Sequence, residues 1–207
     1  MTAALSRDAL TLDLAQYAAR RTAARDRMIP LRRGRRLRLG DQLVLEFENA
    51  ETLTYQVQEM LFTEGITDEA DVAAELAAYS RLLPSSHELT ATLFLEFDDV
   101  SAVRDELRRL AGVQHAIRIE VGGERVPAVE LPGPDEDGPS EETYSVHFLK
   151  FRFSDQARDA FRDPSVPALL VVDHPEYADD TPIDGDARKS LLADLALTTA
   201  RSEEHSR

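Results

Sequence analysis

Residues 87–97, HELTATLFLEF, alternate so regularly that Leu89, Ala91, Leu93, Leu95 and Phe97 share one side of an extended chain, which makes this the clearest strand. Residues 35–48, RRLRLGDQLVLEFE, alternate around Gly40-Asp41 and predict a β-hairpin. A two-residue turn would set Arg36 and Arg38 against Leu45 and Leu43. A three-residue turn at Gly40-Asp41-Gln42 instead pairs Leu37 with Leu45 and Leu39 with Leu43, sets Arg36 opposite Glu46, and brings Phe47 onto the same apolar face. Burial of one face normally fixes register, so the second pairing is expected, with the arginines outside.

Helical spacing dominates elsewhere. Residues 13–27 are rich in alanine and arginine, with Asp13 placed to start a helix that Pro30 should end. Residues 52–64 predict a helix closed by Gly65, and residues 68–82 a second one before Leu83-Pro84. A helix at 101–110 is followed by strands at 115–121 and 125–130, joined across Gly122-Gly123. TYSVHFLKFRF, 143–153, has apolar residues on both faces and reads as a central strand. A short helix at 155–162, a strand at 168–173, a loop through HPEYADDTP and a terminal helix at 184–200 complete the chain.

Strand 87–97, helix and strand 115–121 form one βαβ pattern, and strand 143–153, helix and strand 168–173 a second. The expected fold is α+β, a mainly antiparallel or mixed sheet with two tandem βαβ units in a ferredoxin-like arrangement. Strand 125–130 and the N-terminal helix and hairpin are expected as additions at its edges. Residues 1–200 are expected to form a single domain, with 131–142, LPGPDEDGPSEE, a mobile acidic loop and 201–207 a disordered tail.

Composition narrows function by exclusion. The 207 residues hold no cysteine, so disulfides, thiolate ligands and cysteine nucleophiles are excluded. The N-terminus lacks a basic start followed by an apolar core, and no apolar run is long enough to span a bilayer, so a cytoplasmic protein is expected. A formal net charge of −15 repels nucleic acid and anionic membranes on average. Against it stands one basic stretch, Arg20 to Arg38, in which Asp26 is the only acid. It has no interleaved aromatics, and its second half is already explained by the hairpin. Nucleic-acid binding through residues 20–38 is therefore the weaker reading, and docking of an acidic partner at Arg32, Arg33 and Arg35, or pairing with the chain's own acids, the stronger.

Three polar constellations carry candidate chemistry. In TYQVQEM, 54–60, Gln56 and Glu59 share a helical face beside Gln58, where a Gln–Glu pair serves equally as ligand, base, substrate clamp or tie to a neighbouring loop. In SVHFLKF, 145–151, His147 shares a face with Leu149, Phe151 and Phe153 while Lys150 points the other way. In DHPEY, Asp173 and His174 stand at the end of a strand. Glu59, His147 and His174 are the candidate catalytic residues of a small enzyme. With Glu96 they are also the candidate metal ligands, although no local pair has metal-ligand spacing. There is no phosphate-binding glycine loop and no nucleophile elbow, and no cofactor is expected.

RRLRLGDQLVLEFEN (35–49), TYQVQEM (54–60), AYSRLLPSSHELTATLFLEF (78–97), SVHFLKF (145–151) and VVDHPEY (171–177), taken in order, resemble the bacterial domain-of-unknown-function family 3501. One mild departure is Ser80, where the pattern has asparagine. The resemblance carries no established activity. It implies an accessory protein associated with rubrerythrin-like or iron–sulfur oxidoreductase proteins, and so a non-catalytic role in redox metabolism.

Overall fold

The structure, a computed structural model, describes residues 4–132 and 144–196. The segment 133–143 and the tail 201–207 lie outside the described residues. Eight strands are β1 (Arg36–Leu39), β2 (Leu43–Glu48), β3 (Glu88–Leu95), β4 (Ile117–Val121), β5 (Glu124–Leu131), β6 (Val146–Arg152), β7 (Ala168–His174) and β8 (Tyr177–Pro182). They form one sheet in the order β1-β2-β3-β6-β5-β4-β7-β8, antiparallel at every pairing, which curls into a nearly closed barrel.

The ferredoxin-like expectation is overturned. β5 was expected at an edge, but it lies between β4 and β6. Two strands therefore separate β3 from β4, and antiparallel neighbours on each step leave β3 and β4 running in opposite directions. The same count separates β6 from β7. Neither pattern is a βαβ unit, which needs its two strands parallel. The loop expected at HPEYADDTP is a hairpin, with Pro175-Glu176 turning β7 into β8. Its acids and terminal proline hide a strand from pattern reading and suit one at a sheet edge.

The hairpin register is the expected one, with Leu37 against Leu45, Leu39 against Leu43 and Arg36 against Glu46. β6 lies inside the sheet between β3 and β5. The barrel interior is filled by inward residues of successive strands, including Leu43, Leu45, Phe47, Leu93, Ile119, Leu149, Phe151 and Leu170. One end is closed by α4 (Val103–Arg109) and a 3-10 turn (Val113–Ala116), which bury Leu110 and Val113. The other is closed by α5 (Asp155–Arg162) and α6 (Gly185–Ala196), which bury Ala157, Phe161, Leu191 and Leu195.

A second apolar cluster lies outside the barrel wall. There α2 (Ala50–Glu64) and α3 (Glu69–Ser80) bury Leu53, Val57, Leu61, Val72, Leu76 and Tyr79, with Phe148 packed against them. Asn49 caps α2, its side chain accepting from Glu51 and Thr52 amides while Thr52 accepts from the Asn49 amide. Gly65 ends it with φ of +70°. α1 (Leu14–Arg33) lies over α2 and continues through Pro30, where termination was expected. Pro30 stands in the last turn, so it removes only one internal hydrogen bond.

Candidate functional site

Glu59, His147 and His174 have separate surroundings and share no partner. Glu59 on α2 accepts from Tyr17 Oη at 2.6 Å and from Arg21 Nη2 at 2.7 Å. The Arg21 hydrogen bond holds its carboxyl below the usual range against the opposing effect of burial, with Tyr17 adding to it. Burial and the Glu59 carboxylate both push the Tyr17 phenol up. His147 points into the barrel, 4% exposed, with Nδ1 2.7 Å from Glu130 Oε1. His174 Nε2 lies 3.1 Å from the Ala111 carbonyl, where it fastens the segment that closes the barrel end. Glu96 binds Arg36, and Arg38 at 3.1 Å. Among the described residues no group of three His, Asp or Glu side chains is placed to hold a metal ion.

The other predicted binding residues also work within the chain. Gln58 grips the Thr11 backbone from both sides, accepting from its amide at 2.7 Å and donating to its carbonyl at 3.0 Å. Gln56 Nε2 donates at 2.8 Å to Glu48, a carboxylate only 1% exposed that also accepts from Thr52 and Thr92 hydroxyls. That buried polar layer locks α2 onto β2 and β3. Asp173 lies 3.4 Å from Arg118. Ser80, the departure from the family pattern, accepts from the Leu5 amide at 2.9 Å and so secures the N-terminal segment.

Lys150 sits 3.2 Å from Glu88, which also binds Arg152 at 2.7 Å and the Ser85 hydroxyl. Burial alone would raise the Glu88 pKa. The hydrogen bonds from Ser85, Arg152 and Lys150 outweigh it and bring the pKa to about 2. A depressed carboxyl contributes stability above its unfolded pKa and loses it as pH falls through the folded one. Unfolding by urea should therefore show stability falling between pH 4.5 and pH 2, by up to about 3 kcal/mol from this group. Glu88→Gln should flatten that part of the curve; an unchanged slope would remove Glu88 as its source.

The arginines divide by position. Arg35, predicted to dock a partner, is 1% exposed and turned inward. It donates to the Phe47 carbonyl at 2.7 Å, the Glu48 carbonyl at 3.0 Å and Ser190 Oγ at 2.9 Å, and pairs with Asp194 on α6. Arg32 lies 2.7 Å from Glu46 and stacks over the Tyr55 ring. Burial raises the Glu46 pKa, and the Arg32 charge opposes that rise. Arg33 is exposed.

Sequence reasoning gave the arginines further up α1 only to the weaker nucleic-acid reading of 20–38 and named none of them for partner docking. Of the 20 residues in this helix, Tyr17, Ala24 and Met28 are buried. Arg20, Arg25, Arg27 and Arg33 are exposed and make no hydrogen bond or ion pair among the described residues. Arg25, Ile29 and Arg33 stand four apart and form one outward row, with Ile29 48% exposed. Arg20 and Arg27, seven apart, line a cleft of about 510 Å³ between α1 and α2. Its lining includes Tyr17, Ala24 and Met28 on one side and Ala50, Glu51, Thr54 and Tyr55 on the other. The spacing was legible in the basic stretch once it was read with a helical period.

Comparison with known proteins bears on this arrangement. A family model described as protein of unknown function (DUF3501) matches residues 4–195. The chain belongs to this family. A crystal structure of a novel protein of unknown function from Burkholderia pseudomallei is similar to this member throughout, at 36% identity and a TM-score of 0.83, covering 94% of this chain and 100% of that one. No curated protein matches. The DUF3501 chain thus shares its barrel and flanking helices with a bacterial protein whose function is likewise open. Among its described residues no helix is long and apolar enough to cross a membrane.

Proposed function

We propose that this chain is a non-catalytic accessory protein of a cytoplasmic redox system, which docks an acidic face of a rubrerythrin-like or iron–sulfur oxidoreductase protein on the arginine-bearing surface of α1. One observation carries the docking: Arg20, Arg25, Arg27 and Arg33 stand exposed on one helix, without a hydrogen bond or ion pair among the described residues, in a chain whose formal net charge is −15. Many arginines elsewhere close ion pairs with carboxylates of their own chain, as at Arg36–Glu96, Arg109–Glu106 and Arg118–Glu120, and no other helix gathers four without one among the described residues. A concentrated positive surface on an acidic molecule steers an acidic partner to one face while the remainder repels it. The redox character of the partner rests on the family resemblance. The separate placements of Glu59, His147 and His174 favour docking over catalysis.

Affinity capture with the tagged full chain from its native host, at low ionic strength, should recover a redox protein of one of these classes. Reversing all four arginines to glutamate should abolish recovery while leaving the circular dichroism spectrum unchanged. Recovery of no redox protein, or equal recovery by the reversed variant, would overturn the proposal. Saturable nucleic-acid binding that falls steeply with salt and vanishes in the same variant would replace it.

A further inference from the structure

The cleft between α1 and α2 specifies more than charge. α1 buries three side chains over 20 residues, at positions 17, 24 and 28, which form a single stripe facing α2. The contacts between the helices are confined to few places. Tyr17 meets Phe62 edge-to-face at 5.5 Å, Arg21 lies 4.8 Å over the same ring, and Glu59 ties the two helices together. Arg32 near the end of α1 lies 5.3 Å over the Tyr55 ring, and between these contacts the helices leave the cleft of about 510 Å³. Isolated helices draw most of their stability from packing an apolar stripe, so a long helix with so narrow a buried stripe is incompletely packed.

We infer that this cleft seats an acidic amphipathic helix of the partner, laid against α1 and α2 as a third helix. This rests on the docking reading and names the element that docks. Tyr17, Ala24, Met28 and Tyr55 supply the apolar floor, with the small Ala24 and Ala50 allowing close approach. Arg20 and Arg27 stand on its wall without an ion pair among the described residues, and outnumber Glu51, the acid that lines the cleft with them. Seven residues of helix rise about 10 Å. Two acids seven residues apart on an incoming helix match that separation and share one face with apolar positions between them. A helix-in-groove mode of this kind takes affinity from apolar anchors and register from the flanking charges. The row Arg25–Ile29–Arg33 lies outside the cleft and meets the rest of the partner's surface.

The test uses the full-length protein and a fluorescein-labelled, capped 21-residue helical peptide, with leucines at i, i+3, i+4 and i+7 spacing flanked by glutamates seven apart. Fluorescence anisotropy should show saturable one-to-one binding. Arg20→Glu with Arg27→Glu should weaken it at least tenfold. Thr54→Trp, which fills the cleft without changing charge, should weaken it as much, and a lysine-for-glutamate peptide should not bind. Loss of binding in the charge variant with full binding in Thr54→Trp would overturn the cleft as the seat while leaving the arginine face as the docking surface. Binding of laurate in place of the peptide, blocked by Thr54→Trp, would make the cleft a small-anion site and overturn the helix. A dimer in multi-angle light scattering that Thr54→Trp dissociates would make the occupant a second copy and equally overturn it.

Discussion

Replacing Arg35 with alanine should destabilise the protein by about 3–5 kcal/mol and lower its melting temperature by roughly 10 °C. The side chain is 1% exposed and reaches four acceptors on two elements: the carbonyls of Phe47 and Glu48 at the end of β2, and Ser190 Oγ and Asp194 on α6. Its loss strands a carboxylate that is 7% exposed. The cost of a broken buried pair lies mainly in the charge left behind. Removing both partners should therefore cost less than the sum of the single variants, and Arg35→Met with Asp194→Leu should recover much of the loss. Acid pH offers an independent check. Burial pushes the Asp194 carboxyl up even with Arg35 beside it, the Arg35 charge and hydrogen bond only opposing that rise. In Arg35→Ala nothing opposes it, so Asp194 takes a proton more readily. A carboxyl raised in the folded state gains stability as pH falls through its folded pKa, so the deficit of the variant should shrink on acidification. A deficit that stays constant would mean that lost packing, not stranded charge, sets its size.

Arg35 also marks the limit of what the sequence discloses. The hairpin register could be read locally, because Gly40 marks the turn and the alternation on either side permits one pairing that buries all its leucines. Nothing local distinguishes Arg35 from Arg33 or Arg36. Its role is set by Asp194, 159 positions away. The same holds for topology. The Gly122-Gly123 turn announced a β4–β5 hairpin, and that hairpin forms, but only the pairing of β5 with β6 reveals that it is inserted into the middle of the sheet. That single insertion reverses the relative direction of the flanking strands and turns two apparent βαβ units into parts of an antiparallel barrel. His147 was rightly placed among Leu149, Phe151 and Phe153, because a strand's period fixes its face; its Glu130 partner on the next strand was not foreseeable. On α1 the charge was visible in composition, while the cleft it borders depends on how far α1 stands from α2.

Gly40→Ala should be the second costly change, because the barrel seam passes through this residue. Among the described residues no ladder joins β1 to β8, and the sheet closes through Tyr177 instead. Its hydroxyl donates to the Leu39 carbonyl at 2.8 Å and accepts from the Gln42 amide at 3.1 Å, so it bridges both sides of the β1–β2 turn. Gly40 has φ of +60°, and a Cβ there would lie 2.3 Å from that hydroxyl and 2.8 Å from Asp179 Oδ2. Alanine thus incurs about 1–2 kcal/mol for the left-handed conformation and displaces the tyrosine, for a total of about 2–4 kcal/mol. Tyr177→Phe alone removes the hydroxyl without backbone strain and should cost about 1–2 kcal/mol. The double variant separates the two effects. With the hydroxyl gone the added methyl meets less obstruction, so Gly40→Ala should cost less in the phenylalanine background than in the wild type, leaving the strain of the positive φ and the close approach to Asp179 Oδ2. Hydrogen exchange should localise the damage, with faster exchange in β1 and β8 and unchanged protection in β3 and β6 at the centre of the sheet. Equal loss of protection across all strands would show that the seam is as firmly held as the rest of the barrel, and that the hydroxyl bridge is not what closes it.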